Sequence, residues 1–276
     1  MNRRPAWSSA FAPESLATIR PVLPIDEITP EWAFGNGSGA GVKVAVIDSG
    51  IDATHPQVGG RIRGYVDVTE RDGELTFEVE PHEDLYGHGT ACAGIIRSLA
   101  PECELYSVRV LGKLLLGRAS VFAAGLRWAI DHDMDVCNLS LGTGKREFYA
   151  VLHELADLAY FRNVMLVTAA NNDAAPSFPS VFASVISVAS HERQDEDLVY
   201  YNPAPPVEFG ALGIDVRVAW TNGGSLVATG NSFAAPHVTG VVARILGAHP
   251  ELTVFEMKAI LRALAANVSR APAPRP

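Results

Sequence analysis

Three residues of the types used in acyl-transfer chemistry occur in this chain in the order aspartate, histidine, serine. Each lies among small residues, in the segments VAVIDSG (44–50), GHGT (87–90) and GNSFAAPH (230–237). An alcohol becomes a nucleophile at neutral pH when an imidazole takes its proton and a buried carboxylate holds that imidazole. Asp48, His88 and Ser232 have the right side chains for these three tasks. Their pattern therefore predicts nucleophilic attack on an acyl group.

Each of the three residues also has an ordinary structural explanation when it is considered alone. Asp48 could cap a turn, a single histidine such as His88 is more often structural, and Ser232 could be a simple N-cap. However, Asp48 ends a predicted buried strand, where an unpaired carboxylate is costly. A helix beginning at Ser232 would favour developing negative charge. The three residues together favour the catalytic interpretation.

The composition of the chain limits its class and its partners. The chain has 276 residues, of which 48% are hydrophobic and 19% charged, so it can bury a sizeable core as one domain. A net charge of −9 argues against nucleic acid or an anionic membrane as a partner. The sequence contains no apolar run of the ~18 residues needed to span a bilayer. It does not indicate an oligomeric state.

The cysteines and the first residues predict a cytoplasmic location. Arg3 and Arg4 are not followed by the apolar stretch of a secretory signal. Cys92, Cys103 and Cys137 are odd in number and have apolar neighbours, which is typical of reduced thiols in a core. A secreted protein whose signal has been removed is the alternative.

Strands and helices are expected to alternate along the chain. Apolar runs predict strands at 42–47, 104–110, 136–141, 164–169 and 184–189. Helical spacing predicts helices at 91–99, 120–131, 148–160 and 233–246, and a capping box at Thr253 and Glu256 opens a last helix. The acidic stretch 70–83 is interpreted as a solvated loop. Strands separated by helices imply a three-layer α/β fold, with a mainly parallel sheet and helices on both faces.

The domain boundaries follow from where this periodicity begins and ends. We expect one domain over residues 30–268. The N-terminal extension, residues 1–29, is predicted to be partly disordered, and residues 269–276 are predicted to form a disordered tail.

With these residues considered, the chain resembles the subtilisin family of serine endopeptidases over about residues 30 to 265. Four further segments are similar to that family: SVRVLG (107–112), VCNLSLG (136–142), VTAANN (167–172) and PHV (236–238). In that family the catalytic residues also occur along the chain in the order Asp, His, Ser. The resemblance implies a subtilisin-like fold and hydrolysis of peptide bonds in a peptide or protein substrate.

The resemblance also implies a role for each residue of the predicted catalytic site. Ser232 would attack the scissile carbonyl, His88 would transfer the proton, and Asp48 would orient the imidazole. The side-chain amide of Asn172 and the backbone N–H of Ser232 would stabilise the oxyanion. Asn172 is preferred to Asn171, because Asn171 stands where the family usually has glycine.

Two segments of the chain are implied to flank the substrate. Their candidate residues are Leu111, Leu115, Leu116 and Gly117 on one side, and Ser140, Leu141 and Gly142 on the other. If residues 112–117 form an edge strand, the leucines at 114–116 present alternating apolar side chains to the substrate; the alternative is that one or two of them pack inward. The wall after Asn172 is shorter than in the family, which predicts a more open primary pocket with Asp173 at its rim and a preference for a basic residue.

No cofactor is expected, because the family's strong calcium site is predicted to be lost. Residues 96–101 run directly into the next strand without the usual calcium loop, and Gln57 replaces an aspartate that helps to bind the ion. Weaker cation sites remain open, since calcium also binds backbone carbonyls. His82, Glu83 and Asp84 with His88 do not have the spacing of a zinc site.

Two further observations leave alternatives open. The chain is similar to intracellular subtilisins, so residues 19–28 could lie across the active site or form a peripheral strap. Asn231 stands where the family nearly always has threonine. That substitution motivates the alternative of a catalytically weak pseudoprotease that binds peptides by strand addition. An acyl-transferring peptide maturase is the other alternative to a specialised processing protease.

Overall fold

The computed structural model describes residues 24–268, together with Ser8, Ala12, Ser15, Thr18 and Arg20. Within these residues, nine strands form one sheet and two more form a separate hairpin. The strands are β1 (Lys43–Asp48), β2 (Ile62–Arg71), β3 (Glu74–Glu78), β4 (Glu104–Arg109), β5 (Val136–Leu139), β6 (Met165–Ala169), β7 (Ile186–His191), β8 (Tyr200–Tyr201), β9 (Phe209–Leu212), β10 (Val216–Trp220) and β11 (Gly224–Ala228).

The large sheet has the strand order β3-β2-β4-β1-β5-β6-β7-β9-β8. Its pairs are parallel except for β2–β3 and β8–β9 at the two edges. The α-helices are α1 (Pro30–Phe34), α2 (His88–Leu99), α3 (Ala119–Asp131), α4 (Tyr149–Phe161), α5 (Asn231–Ala248) and α6 (Val254–Leu264). The predicted three-layer α/β fold is therefore confirmed.

Strand β1 shows why the sheet is covered on both faces. Its side chains alternate between two cores. Val44 and Val46 lie in the core that includes residues of α2, α5 and α6. Ala45 and Ile47 lie in the core that includes residues of α3 and α4. A strand buried on both faces is a nearly continuous apolar run, which is how this segment reads in the sequence.

The position of β1 also defines where a site can form. It pairs with β4 on one side and with β5 on the other, so the connections that follow β1 and β4 diverge at its carboxyl end. In open α/β sheets this divergence leaves a crevice outside the carboxyl ends of the strands. Asp48 is the last residue of β1 and lies at that crevice.

One prediction about the acidic stretch is wrong. Residues 70–83 are not simply a solvated loop, because β2 extends to Arg71 and pairs with β3 through a tight turn at Asp72 and Gly73. Glu70 is bound by Arg118, at 2.7 Å, and by the hydroxyl of Ser120. The hairpin forms because Asp-Gly favours the positive φ angles of such a turn.

The N-terminal segment, where the structure describes it, contacts residues near the C-terminal end of the chain. Arg20 binds both oxygens of Glu256 in α6, at 2.6 and 2.7 Å, and Trp32 stacks on His249. The part of 19–28 that the structure describes thus contacts α6, as a peripheral strap does. The predictions of disorder at the two chain ends concern mostly residues outside the described ones. Among the helices of the described residues, none has the length and apolar character needed to cross a membrane.

Candidate active site

The carboxylate of Asp48 holds the imidazole of His88. Asp48 is completely buried, and each of its two oxygens lies 2.9 Å from Nδ1 of His88. Oδ1 also accepts the backbone N–H of Ser49, at 2.8 Å. Because an ionised carboxylate only accepts, Nδ1 of His88 carries the donated proton and Nε2 is left to face the crevice. This is the arrangement that orients a general base.

His88 is the first residue of α2, and glycines bring this helix against the end of β1. A Cβ on Gly89 would lie 2.0 Å from the carbonyl oxygen of Gly50, and one on Gly87 would lie 2.6 Å from the ring of Trp220. Gly87 also has a φ of 118°, which L-residues with side chains rarely adopt. The small residues of this segment are therefore a requirement of the close approach.

Asp84 precedes α2 in the chain, and its side chain caps the N-terminus of the helix. This capping role was not predicted from the sequence. Its carboxylate is buried and accepts five hydrogen bonds of 2.6–2.9 Å. The donors are the N–H groups of Tyr86, Gly87 and Thr90 and the hydroxyls of Ser49 and Thr90. The signal that could have revealed it is an aspartate followed, six residues later, by a threonine in the first turn of a helix.

The electrostatic environment makes His88 a stronger base. Burial by itself lowers the pKa of the imidazole, but the charge and hydrogen bonds of Asp48 and the charge of Asp84 raise it by more. The pKa of His88 is therefore above its ordinary value of 6.5.

Ser232 lies in the first turn of α5, beside His88. The ring of Phe233 is 5.3 Å from the His88 ring, which links the two segments. Pro236 lies in the second turn of α5 and cannot donate to the carbonyl oxygen four residues earlier. That oxygen belongs to Ser232, and the Ser140 hydroxyl donates to it instead, at 2.7 Å. The proline is tolerated because Ser140 supplies the missing donor.

Asn172 reaches the same space from the end of β6. Its Oδ1 accepts the backbone N–H of Asn231 at 2.8 Å. A Cβ placed on Gly230 would lie 3.3 Å from Oγ of Ser232 and 3.5 Å from Nδ2 of Asn172. The structure thus brings Asp48, His88, Ser232 and Asn172 to one crevice. No hydrogen bond joins Ser232 Oγ to a described residue, and in substrate-free sites such bonds commonly form only when substrate binds.

A cavity of about 310 Å³ beside His88 contains seven of the predicted substrate residues in its lining. They are Leu111, Leu115, Leu116, Gly117, Ser140, Leu141 and Gly142. Of the two alternatives for residues 112–117, the edge strand is not formed, and the inward packing of a leucine is found at Leu115. The chain turns there, since the carbonyl oxygen of Gly112 accepts from Leu115 at 2.9 Å and its N–H donates to Leu116 at 3.0 Å. Leu115 is partly buried and packs against the core, whereas Leu114 and Leu116 are 78% and 71% exposed.

A second cavity, of about 170 Å³, lies between Ser232 and Asn172 on one side and Gly142 on the other. Asp173 is not among its lining residues, and the lining contains no charged side chain. Phe178 pairs with Thr143 through backbone hydrogen bonds of 2.8 and 3.0 Å, so the loop after Asn172 is tied to the opposite wall of this cavity. The more open pocket stays a prediction.

Two groups of residues near the crevice have the side-chain types of a metal cluster. His82 faces Ser107 at 2.9 Å, and Asp84 caps α2, so they do not converge with His88. Among the described residues, Asp48, His88 and Cys92 are the only such group with ligand atoms close together. Nδ1 of His88 is already bound by both oxygens of Asp48. Burial raises the pKa of the Cys92 thiol well above its ordinary value, and a neutral thiol is a poor nucleophile.

Comparison with known proteins identifies the family. The model of the subtilase family matches residues 39–273. The chain therefore belongs to the subtilase family.

Individual relatives agree with this assignment. Subtilisin E of Bacillus subtilis (strain 168) is 31% identical over 238 residues, which cover 80% of this chain and 59% of the relative. The alkaline protease of Shouchella clausii is 32% identical over 279 residues, covering 96% of this chain and 70% of the relative. A cold adapted subtilisin-like serine proteinase has a similar crystal structure, with a TM-score of 0.65, 27% identity, and coverage of 84% of this chain and 86% of that one. The chain spans about 59% of the length of subtilisin E.

Proposed function

We propose that this protein is a serine endopeptidase. In the proposed mechanism, Oγ of Ser232 attacks the scissile carbonyl carbon while Nε2 of His88 takes its proton. Asp48 keeps the imidazole oriented and stabilises its charged form. The oxyanion is bound by Nδ2 of Asn172 and the backbone N–H of Ser232. His88 then protonates the leaving amine, and water hydrolyses the acyl-enzyme by the same steps.

The observation that carries this proposal is the convergence of four side chains from distant parts of the chain. The buried Asp48–His88 pair has hydrogen bonds of 2.9 Å. The amide of Asn172 and the hydroxyl of Ser232 lie within 3.5 Å of a common point. Purely structural roles, with Ser232 as an N-cap and Asp48 in a turn, would not explain why these four side chains lie together.

Labelling with a fluorophosphonate probe tests the proposal. We expect labelling of the wild type, none of Ser232→Ala, and at least a hundredfold slower labelling of His88→Ala. A folded wild type that is not labelled, or a Ser232→Ala variant that is, would contradict it. Cleavage of the same peptides in the presence of a second peptide with a free amino terminus separates hydrolysis from acyl transfer.

We also infer that cleavage is selective. The lining of the cavity beside His88 includes four leucines and Phe122, with Arg118 and Lys145 among the remaining residues. The apolar part of this lining supports an apolar residue upstream of the cut. The pocket beside Ser232 has no charged lining, which supports an uncharged residue at the cut itself. Such selectivity is expected of a specialised processing protease, more than of a general degradative one.

The exposed leucines provide a matched pair of variants for this inference. Leu116 lines the cavity beside His88 and Leu114 does not, although both are exposed. We expect Leu116→Ser to lower kcat/KM about tenfold for substrates with an upstream apolar residue. Leu114→Ser should leave it unchanged. Equal effects of the two substitutions, measured with a peptide library, would show that the cavity does not select the substrate.

A cytoplasmic location is part of the proposal. Cys92, Cys103 and Cys137 are all buried free thiols, which supports folding in a reducing compartment. Fractionation of cells that express the full chain tests this, and recovery of the protein outside the cytoplasm would overturn it.

A further inference from the structure

Asn231, the residue before the proposed nucleophile, connects the start of α5 to strand β7 and to the segment that follows β6. Its Oδ1 accepts the backbone N–H of Ser190 in β7 at 2.8 Å. Its Nδ2 donates to the carbonyl oxygens of Ala170, at 3.3 Å, and Asn171, at 2.9 Å. Every polar atom of this side chain is therefore bound to the backbone, and none is directed at the substrate pocket.

The main chain of Asn231 makes one further contact, with Asn172. Its N–H donates to Oδ1 of Asn172 at 2.8 Å. Because an amide has one accepting and one donating end, this bond fixes which end is which. Oδ1 accepts from α5, so Nδ2 is the end that is left to donate. The amide lies next to Ser232, since a Cβ on Gly230 would be 3.5 Å from Nδ2, 3.6 Å from Oδ1 and 3.3 Å from Oγ of Ser232. The side chain of Asn172 is otherwise exposed and would be free to rotate.

We propose that Asn231 is a positioning residue that holds the 170–172 segment, so that the Asn172 amide is directed at the developing oxyanion. The inference rests on the proposed function, and it concerns a residue that differs from the family's usual threonine. A threonine hydroxyl can donate only one hydrogen bond, so it cannot bind both carbonyls and Ser190 in this way. A preorganised donor stabilises the transition state without a cost of reorganisation. Asn231 therefore supports catalysis, and it is not a sign of a degenerate active site.

A double-mutant cycle with Asn172 tests this proposal. Loss of an oxyanion donor, here by Asn172→Ala, is expected to reduce kcat about 10²–10³-fold, a magnitude that comes from subtilisin itself. We expect Asn231→Ala and Asn231→Thr each to reduce kcat at least tenfold with KM nearly unchanged. In the Asn172→Ala background, Asn231→Ala should reduce kcat by less than twofold, because the amide that it positions is gone.

Two controls separate positioning from a loss of fold. Asn267 also bonds to the backbone through both ends of its amide, to Tyr201 at 2.8 and 2.7 Å, but far from the crevice. Asn267→Ala should leave kcat unchanged. Asn231→Asp keeps the acceptor for Ser190 and loses both donors, and it should resemble Asn231→Ala in kcat. Thermal unfolding and circular dichroism establish that each variant is folded.

The outcomes distinguish this proposal from the proposed function. If the wild type cleaves no peptide and takes no fluorophosphonate, the proposed function itself fails. If the wild type is active but folded Asn231→Ala and Asn231→Thr keep full kcat, the positioning role is wrong. It is also wrong if the losses from Asn231→Ala and Asn172→Ala simply multiply in the double variant. If Asn231→Ala does not fold, the same comparisons are made with Asn231→Thr.

Discussion

At the scale of single residues, two carboxylates govern the protonation of His88. Burial opposes the charged imidazole, but Asp48, bonded to Nδ1, and Asp84, at the start of α2, outweigh it. They therefore also stabilise the imidazolium that forms when His88 takes the proton of Ser232. The same stabilisation means that His88 is a base only at pH values above its raised pKa.

The raised pKa of His88 determines the expected pH dependence of cleavage. We expect kcat/KM to rise with pH and to reach half of its plateau above pH 6.5, the ordinary value for histidine. Binding of a proton by folded His88 also stabilises the fold. That contribution is complete below pH 6.5 and is lost as the pH rises through the raised pKa. Titration of the His88 ring by NMR in Ser232→Ala gives this pKa directly, and a midpoint at or below 6.5 would contradict the electrostatic argument.

At the scale of elements, the start of α2 depends on a side chain that comes before the helix. The N-cap position is Gly87, which has no side chain to offer. Asp84 takes over this task, and its charge also complements the helix dipole. Without Asp84, the backbone N–H groups of Tyr86, Gly87 and Thr90 and the hydroxyls of Ser49 and Thr90 lose their acceptor.

Removing the Asp84 side chain should therefore lower the stability of the fold. We expect Asp84→Ala to lower the free energy of unfolding by about 2–4 kcal/mol, because hydrogen bonds to a charged group are lost and their donors stay buried. Glu80→Ala, an exposed acidic residue on the same loop, should change it by less than about 0.5 kcal/mol. Denaturant unfolding of both variants, carried out with Ser232→Ala to prevent self-digestion, gives the comparison. Similar losses for the two variants would mean that Asp84 is not the cap that holds α2.

The elements also show how much of the site could be predicted from the sequence. Asp48, His88 and Ser232 were found because small neighbours and apolar runs mark their positions on strands and helices. The turn at 112–117 was missed because it depends on Leu115 adopting a positive φ of 56° and packing inward, which a leucine rarely does. The role of Asn231 was missed because its partners, in β7 and after β6, are brought together only by the folded sheet. Local patterns thus identified the reacting groups, but the residues that orient them depend on tertiary contacts.

At the scale of the whole molecule, a buried arginine joins three separate parts of the chain. Arg97, in the last turn of α2, donates to the carbonyl oxygens of Pro101 at 3.0 Å and Cys103 at 2.7 Å, in the connection to β4. It also donates to that of Arg61, directly before β2, at 3.0 Å. Burial lowers the pKa of its guanidinium. This connection lies where the sequence predicts that the family's calcium loop is lost.

The stability of the molecule should therefore depend on this side chain and not on a bound cation. Arg97→Met keeps much of the volume but removes the guanidinium that binds the carbonyl oxygens of Cys103 and Arg61, whereas Pro101 still accepts from Arg61 at 3.0 Å. We expect a loss of about 3 kcal/mol. For a domain of this size that corresponds to a decrease of roughly 6–12 °C in Tm. Arg63→Met is the matched control, because Arg63 is largely exposed and lies 3.7 Å from Glu104, and its Tm should stay within about 1 °C. Thermal unfolding is measured with Ser232→Ala, with added calcium and with EDTA. A Tm that falls in EDTA by as much as it does in Arg97→Met would mean that a cation, and not the guanidinium, holds this region together.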